Sequence, residues 1–255
     1  MSIRCVAMAV GCLYLAGLFT LHAGIVMEPY LQGVTSSNVW VMVECDSDDK
    51  AVVVEYGETA EYGARARSVY EVATNGKTYV HRVLLRGLKP STRYHYRVSH
   101  DGEVTKDTSF LSAALPGTPF TFAFTSDFQS TAQVQDHLVV LLLNHKPDFL
   151  LYGGDMAGNG EKYHMWKEHF FNKQSRLISQ IPFFGCVGNH DRWTKNTWAF
   201  LQGPYPLDPQ AEFYSFEYGD AHFLILNTQV NTTMSYAQAK FARQSLAANR
   251  LPWSI

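Results

Sequence analysis

Three short apolar runs in the second half constrain most tightly what this chain can fold into. Phe120-Thr121-Phe122-Ala123-Phe124-Thr125, Phe149-Leu150-Leu151-Tyr152 and Phe183-Phe184-Gly185-Cys186-Val187 each stop at a polar cluster. The clusters are Ser126-Asp127, Gly153-Gly154-Asp155 and Gly188-Asn189-His190-Asp191. The first run is apolar enough to predict a strand buried on both faces. Between the runs the hydrophobic period changes. From Thr131 to Asn144, the residues Val134, Leu138, Leu141 and Leu142 fall at i, i+4, i+7 and i+8, which predicts a helix ended by Pro147. A second helix is predicted from Glu161 to about Ile178. Strand, helix, strand, helix, strand is the rhythm of a parallel sheet with helices packed on it. Loops at the carboxyl ends of such strands converge on one rim, where ligands bind. Asp127, Asp155 and Asn189-His190 therefore meet there. A hairpin follows, Glu212 to Tyr218 and Ala221 to Asn227, turning at Gly219-Asp220. Ser235-Tyr236-Ala237-Gln238 has capping-box spacing and opens a last helix to about Asn249. Leu251 to Ile255 reads as the entry to another strand.

The first half reads as an all-β sandwich. Val39 to Glu44 and Val52 to Tyr56 are strand patterns separated by the polar cluster Asp46 to Lys50. Asn75-Gly76 is a tight-turn dipeptide before a strand from Tyr79 to Leu85, and no helical period intervenes. In Leu88-Lys89-Pro90-Ser91-Thr92-Arg93-Tyr94-His95-Tyr96-Arg97-Val98, the residues Tyr94, Tyr96 and Val98 share one strand face. Tyr94 after the Leu-x-Pro corner predicts a tyrosine corner. His81 and His95 are read as surface or packing residues. Ala113-Ala114-Leu115-Pro116-Gly117-Thr118-Pro119 is a linker. The expected organisation is a leader over 1–23, a sandwich over 26–113 and an α/β domain over 119–255.

Composition enters by exclusion. Lys and Arg total 21 against 23 Asp and Glu, with no basic run, so the electrostatic footprint of a nucleic-acid partner is missing. Arg4, the apolar run Cys5 to Leu21 and the small residues at Ala23-Gly24 read as a signal peptide, which implies a secreted or periplasmic protein. An uncleaved anchor and lipidation at Cys12 are the alternatives. No other segment is apolar enough to span a membrane. Cys45 and Cys186 remain after cleavage. A disulfide between them is allowed in an oxidising compartment, but two buried free thiols is the expectation, since the pair falls in different domains.

Asp127, Gly154-Asp155 and Gly188-Asn189-His190-Asp191, in that order and each at a strand end, resemble the metallophosphoesterase signature. The sandwich resembles the fibronectin type III-like domain that precedes purple acid phosphatases, and Phe213 to Phe223 resembles that family's segment after the third motif. The resemblance implies a fibronectin-like sandwich followed by an incomplete α/β metallophosphoesterase domain. It also implies a hydrolase of phosphate monoesters, of acid phosphatase type. Two metal ions (Fe, Zn or Mn, divalent or trivalent) about 3.5–4 Å apart clamp phosphate oxygens and lower the pKa of a bound water towards about 7, supplying hydroxide. By resemblance, Asp127 binds the first ion, Asp155 bridges both and Asn189 binds the second. His190 faces the leaving-group oxygen and Asp191 orients it. Gln129 is either a weak ligand or a group behind the ligands. Asp136, His137, His145, His164 and His169 are read as surface residues of helices.

Two departures from that family stand out. Its iron-binding Tyr, three residues after the second-motif Asp, is Gly158 here, so no charge-transfer colour is expected. Its later histidine ligands have no counterpart before Ile255. The chain is therefore expected to be C-terminally shortened or incompletely sequenced, to bind metal poorly and to have little or no activity. The alternatives are an exported binding module with an inert phosphoesterase remnant, and a phosphodiesterase or nucleotidase of the same superfamily. The substrate and the oligomeric state are not legible. Asn231-Thr232-Thr233 is a glycosylation sequon in a eukaryotic host.

Overall fold

The computed structural model describes residues 24–130, 132–204, 212–228 and 235–255. The expected signal peptide and the Asn231-Thr232-Thr233 sequon lie outside the described residues. Among the described residues no helix is long and apolar enough to cross a membrane.

The first half is all β. Its strands are β1 (Ile25–Gln32), β2 (Asn38–Cys45), β3 (Val53–Gly57), β4 (Ala64–Ala73), β5 (Tyr79–Arg86), β6 (Arg93–His100), β7 (Glu103–Val104) and β8 (Thr108–Leu111). All pairings among them are antiparallel. Strand β4 joins the two layers: residues 64–67 pair with β3 and residues 68–73 with β5, with an irregularity between Ser68 and Tyr70. On β6, Tyr94, Tyr96 and Val98 are buried as the alternation requires. The Lys89 amide donates to the Tyr94 hydroxyl at 2.9 Å, so the expected corner forms.

The second half follows the strand–helix rhythm. It contains β9 (Phe122–Thr125), a 3-10 turn (Phe128–Ser130), α1 (Ala132–His145), β10 (Phe149–Tyr152) and α2 (Tyr163–Trp166). A π-helical turn (Lys167–Phe171) then runs into α3 (Asn172–Ile178), β11 (Phe183–Gly185) and α4 (Lys195–Phe200). The hairpin β12 (Tyr214–Tyr218) and β13 (Ala221–Ile225) precedes α5 (Tyr236–Ala248) and β14 (Trp253–Ser254). Strands β9, β10 and β11 lie side by side and parallel. Leu150, Tyr152 and Phe183 pack into one core with Phe128, Trp166 and Phe170 from the helical layer. Phe149, Leu151 and Phe184 pack into another with Tyr214, Phe216 and Phe223 from the hairpin. Phe184 stacks on Phe216 with ring centroids 3.6 Å apart. The architecture is thus a β-rich domain followed by an α/β domain.

The two halves are joined by more than a linker. Strand β1 pairs parallel with β11 at Gln32 and Phe183, so the central sheet runs on into the β-rich half. Arg82 on β5 is fully buried and donates to the Tyr70 hydroxyl, the Gln202 side-chain oxygen and the carbonyls of Trp198 and Ala199. Glu44 on β2 is also fully buried; it accepts from the Thr78 and Tyr163 hydroxyls and pairs with the Lys167 ammonium at 2.9 Å. A buried charge is tolerated only when it is partnered in this way.

Two sequence readings are corrected. β9 is not buried on both faces: it is the end strand of the sheet, and Phe122 and Phe124 are 37% and 67% exposed. On α1 the inward stripe is Gln135, Val139 and Leu142, while Val134 and Leu141 are exposed. Leu138 and Leu142 of the expected stripe do pack on the core, so the face is offset rather than opposite. Gln135 explains the error, because a polar residue on an inward face is invisible to a hydrophobic pattern. Cys45 and Cys186 are free thiols, with Cys45 buried and Cys186 half-buried.

Candidate metal centre

The ladder between the parallel strands continues past their ends and locks the three polar loops together. The Gly153 amide donates to the Thr125 carbonyl and the Cys186 amide to the Tyr152 carbonyl, each at 2.9 Å. Beyond them the Asp127 amide donates to the Gly154 carbonyl at 3.2 Å, and the Phe128 amide to the Asp155 carbonyl at 2.9 Å. Asp127 and Asp155 both adopt left-handed backbone, at φ 63° and 54°. That conformation costs about 1 kcal/mol per residue even for aspartate, and such strain collects where a side chain must be aimed. Gly154 precedes Asp155 at φ 98°, which an L side chain rarely adopts.

The side chains fall into two sets. Asp127, Asn189 and His190 are exposed on the rim, and Asp155 is buried beneath them at 7% exposure. Asp155 accepts from the His190 amide at 2.9 Å through one oxygen and from the Gln129 side-chain amide at 3.4 Å through the other. The Asp127 carboxylate accepts from the Ser126 hydroxyl. Asp191 is fully buried and accepts from the Ala157 amide at 2.8 Å and the Gly188 amide at 3.1 Å. Burial pushes its carboxyl up to about 6, against the lowering pull of those amides.

The orienting role that the resemblance gave Asp191 falls elsewhere. His190 Nδ1 lies 3.0 Å from the Gly158 carbonyl, which can only accept, so that nitrogen carries the proton. Asp191 instead ties the loop after β10 to the loop after β11. Both of its oxygens are engaged by buried amides, and no hydrogen bond joins it to the His190 ring. His169 is also displaced from its expected place. It sits on the π-helical turn and its Nδ1 accepts from the Gly158 amide at 3.0 Å, which puts it at the site's wall. No sequence signal marked the turn, but the missing side chain at Gly158 left a space that something had to fill. His222 holds the Ser245 hydroxyl at 2.9 Å in the hairpin layer and belongs to packing. His81 bonds to the Ser47 carbonyl and His95 to Asp107, as packing and surface residues do.

The rim suits a hard or borderline cation. Its candidate donors are carboxylate oxygens from Asp127 and Asp155 and amide oxygens from Asn189 and Gln129. One observation supports the fit: Gln129 Oε1 is buried beside Asp155 with no hydrogen-bond partner. A buried acceptor in that condition is costly unless a donor or cation reaches it. Among the described residues no three His, Cys, Asp or Glu side chains are grouped closely enough to hold an ion by themselves.

Two family models cover most of the chain. Residues 28–112 match the purple acid phosphatase N-terminal domain, and residues 120–244 match the calcineurin-like phosphoesterase model. The chain belongs to the purple acid phosphatase family of calcineurin-like phosphoesterases. Among its relatives are acid phosphatase type 7 of Danio rerio, at 26% identity over 70% of this chain, and purple acid phosphatase 23 of Arabidopsis thaliana, at 24% over 69%. A further relative is named probable inactive purple acid phosphatase 1 of Arabidopsis thaliana, at 23% identity over 80% of this chain. The chain spans 42%, 47% and 39% of these proteins' lengths, less than half of each. The fold matches purple acid phosphatase PPD1 from yellow lupin (Lupinus luteus) seeds, with a TM-score of 0.71 and 19% identity, over 89% of this chain and 49% of that one.

Proposed function

We propose that this purple acid phosphatase relative carries the first part of a phosphate-monoester hydrolase site. Asp127, Asp155 and Asn189, with Gln129, would hold two metal ions. Ions so placed supply charge for the phosphate oxygens and an acidified water as nucleophile. Asp155 is suited to bridging because it is buried at the junction of two loops, with one oxygen facing the His190 amide and the other facing Gln129. His190 is exposed, with Nδ1 engaged by Gly158, so Nε2 is the nitrogen left to meet a leaving-group oxygen, to which it could donate only when the ring carries a second proton. The observation that carries this reading is the unpartnered Gln129 Oε1 beside the Asp155 carboxylate.

The donors that converge here among the described residues are mainly oxygens, with the His190 imidazole beside them. The test is titration of Mn²⁺ and Zn²⁺ into the chelator-stripped chain, alongside assays on an aryl phosphate monoester. Binding should disappear in Asp155→Asn, and any hydrolysis should require the added ion. Equal binding by Asp155→Asn, or hydrolysis indifferent to chelator, would sink the proposal. The absence of any group of three charged or imidazole ligands among the described residues favours a second reading, a catalytically inert phosphoesterase half beside a contact-making β domain. Metal binding without hydrolysis of any ester would support it. A panel that includes diesters and nucleotides separates monoesterase from diesterase or nucleotidase. Export belongs to the same proposal and rests on the leader sequence. N-terminal sequencing of chain recovered outside the cytoplasm checks it.

A further inference from the structure

Gly158 stands between two imidazoles. Its amide donates to His169 Nδ1 and its carbonyl accepts from His190 Nδ1, both at 3.0 Å. The His169 ring fills the space that a side chain at 158 would occupy. A Cβ added there would lie 2.9 Å from His169 Cε1 and 3.2 Å from Nδ1. The backbone of His169 is held as well. His169 lies on the π-helical turn, whose wide hydrogen-bonding leaves carbonyls in need of donors, and its own carbonyl accepts from the Gln135 side chain at 2.8 Å. Gln135 is buried and is braced in turn by the Gln174 amide at 3.1 Å. A continuous chain of buried and half-buried polar groups thus ends at the exposed His190.

We propose that His169 is a positioning residue that acts on His190 through Gly158. By fixing the Gly158 amide, His169 holds the adjoining carbonyl where it keeps His190 in the Nδ1–H form. Ala157 and Gly160 on either side are anchored, by Asp191 and by the His190 carbonyl, but the peptide at Gly158 has no side chain of its own to hold it. Released from His169, it would let His190 exchange between its two tautomers. Any effect on catalysis rests on the phosphoesterase reading above, but the geometry does not.

The test uses the metal-free full chain labelled with ¹⁵N at histidine, at about pH 8, above the ordinary histidine range. Long-range proton–nitrogen correlation reports which nitrogen of His190 is protonated. The expected wild-type result is the Nδ1–H pattern. His169→Ala should convert it to a mixture or to Nε2–H, and His169→Asn, whose amide oxygen can still accept from Gly158, should restore it. A folded His169→Ala that keeps the Nδ1–H pattern overturns the proposal. Should His169→Ala fail to fold, Gly158→Ala presses on the same ring from the opposite side. An unchanged His190 pattern in that variant is equally fatal. The measurement needs neither metal nor substrate, so a chain without phosphatase activity can still give the tautomer shift. A chain with activity but no shift would retain its site and lose only the role of His169. Where hydrolysis is measurable, kcat for His169→Ala should fall about tenfold with KM nearly unchanged.

Discussion

Gly188 lies so close to Asp155 that a Cβ on the glycine would come within 2.0 Å of Oδ1 and 2.3 Å of the amide nitrogen. The contact is reciprocal, since a Cβ on Gly154 would fall 2.5 Å from the Gly188 nitrogen. Two loops from neighbouring strands therefore meet backbone to backbone, and that approach sets Asp155 beneath Asn189 and His190. Gly188→Ala should push the loops apart, costing about 2–3 kcal/mol as overpacking does. Urea denaturation measures the loss. Weakened Mn²⁺ binding in protein that remains folded would show that Asp155 moved.

Asp191 should leave a signature in the pH dependence of stability. Burial disfavours the carboxylate and pushes its pKa in the folded state up to about 6, above the ordinary aspartate value. The folded state therefore holds this proton more tightly than the unfolded state. Between about pH 4 and about pH 6 the residue's contribution makes stability fall as pH rises, by up to about 3 kcal/mol. Asp191→Asn should abolish that component. Denaturation of both metal-free proteins at several pH values checks it, and a parallel pH dependence in the two would refute the assignment.

Arg82 fastens the β-rich half to the segment after α4. Arg82→Met keeps much of the volume but removes the donor to the Trp198 and Ala199 carbonyls, while the Gln202 oxygen keeps the Tyr70 hydroxyl. The expected cost is about 3 kcal/mol. Both halves should still unfold in one transition, because the β1–β11 pairing and the Glu44–Lys167 ion pair remain. Coincident melting of near- and far-UV circular dichroism tests this.

The thiols should be unreactive in the native state. Burial pushes Cys186 up to about 11 and Cys45 up to about 12, so neither offers much thiolate near pH 8. In chain lacking residues 1–23, native alkylation should be slow and two thiols should titrate after denaturation. Finding none after denaturation without reductant would mean a disulfide instead.

The fold was legible wherever one residue type dominated a local choice. Tyr94, Tyr96 and Val98 announced their face, and Ser235 caps α5 by accepting from the Gln238 amide at 3.2 Å. The polar residues at the ends of β9, β10 and β11 were legible because parallel strands share a rim. What escaped depends on relations between distant segments. Gln135 disguised the inward face of α1, and no hydrophobic pattern announces a π-helical turn. The position of His169 follows from a side chain that Gly158 lacks. Nothing in the sequence sets Arg82 and Glu44 apart from other strand charges; the docking of the two halves makes them interior.

The outer edge of β9 has a consequence for the chain in bulk solution. Its backbone ladder is open on that side among the described residues, and Phe124 stands beside it largely exposed. An uncovered strand edge next to an aromatic surface is a template on which another polypeptide can add a strand. Colloidal behaviour is then second-order in protein. Refolding yield should drop as concentration rises, and Phe124→Lys should recover it.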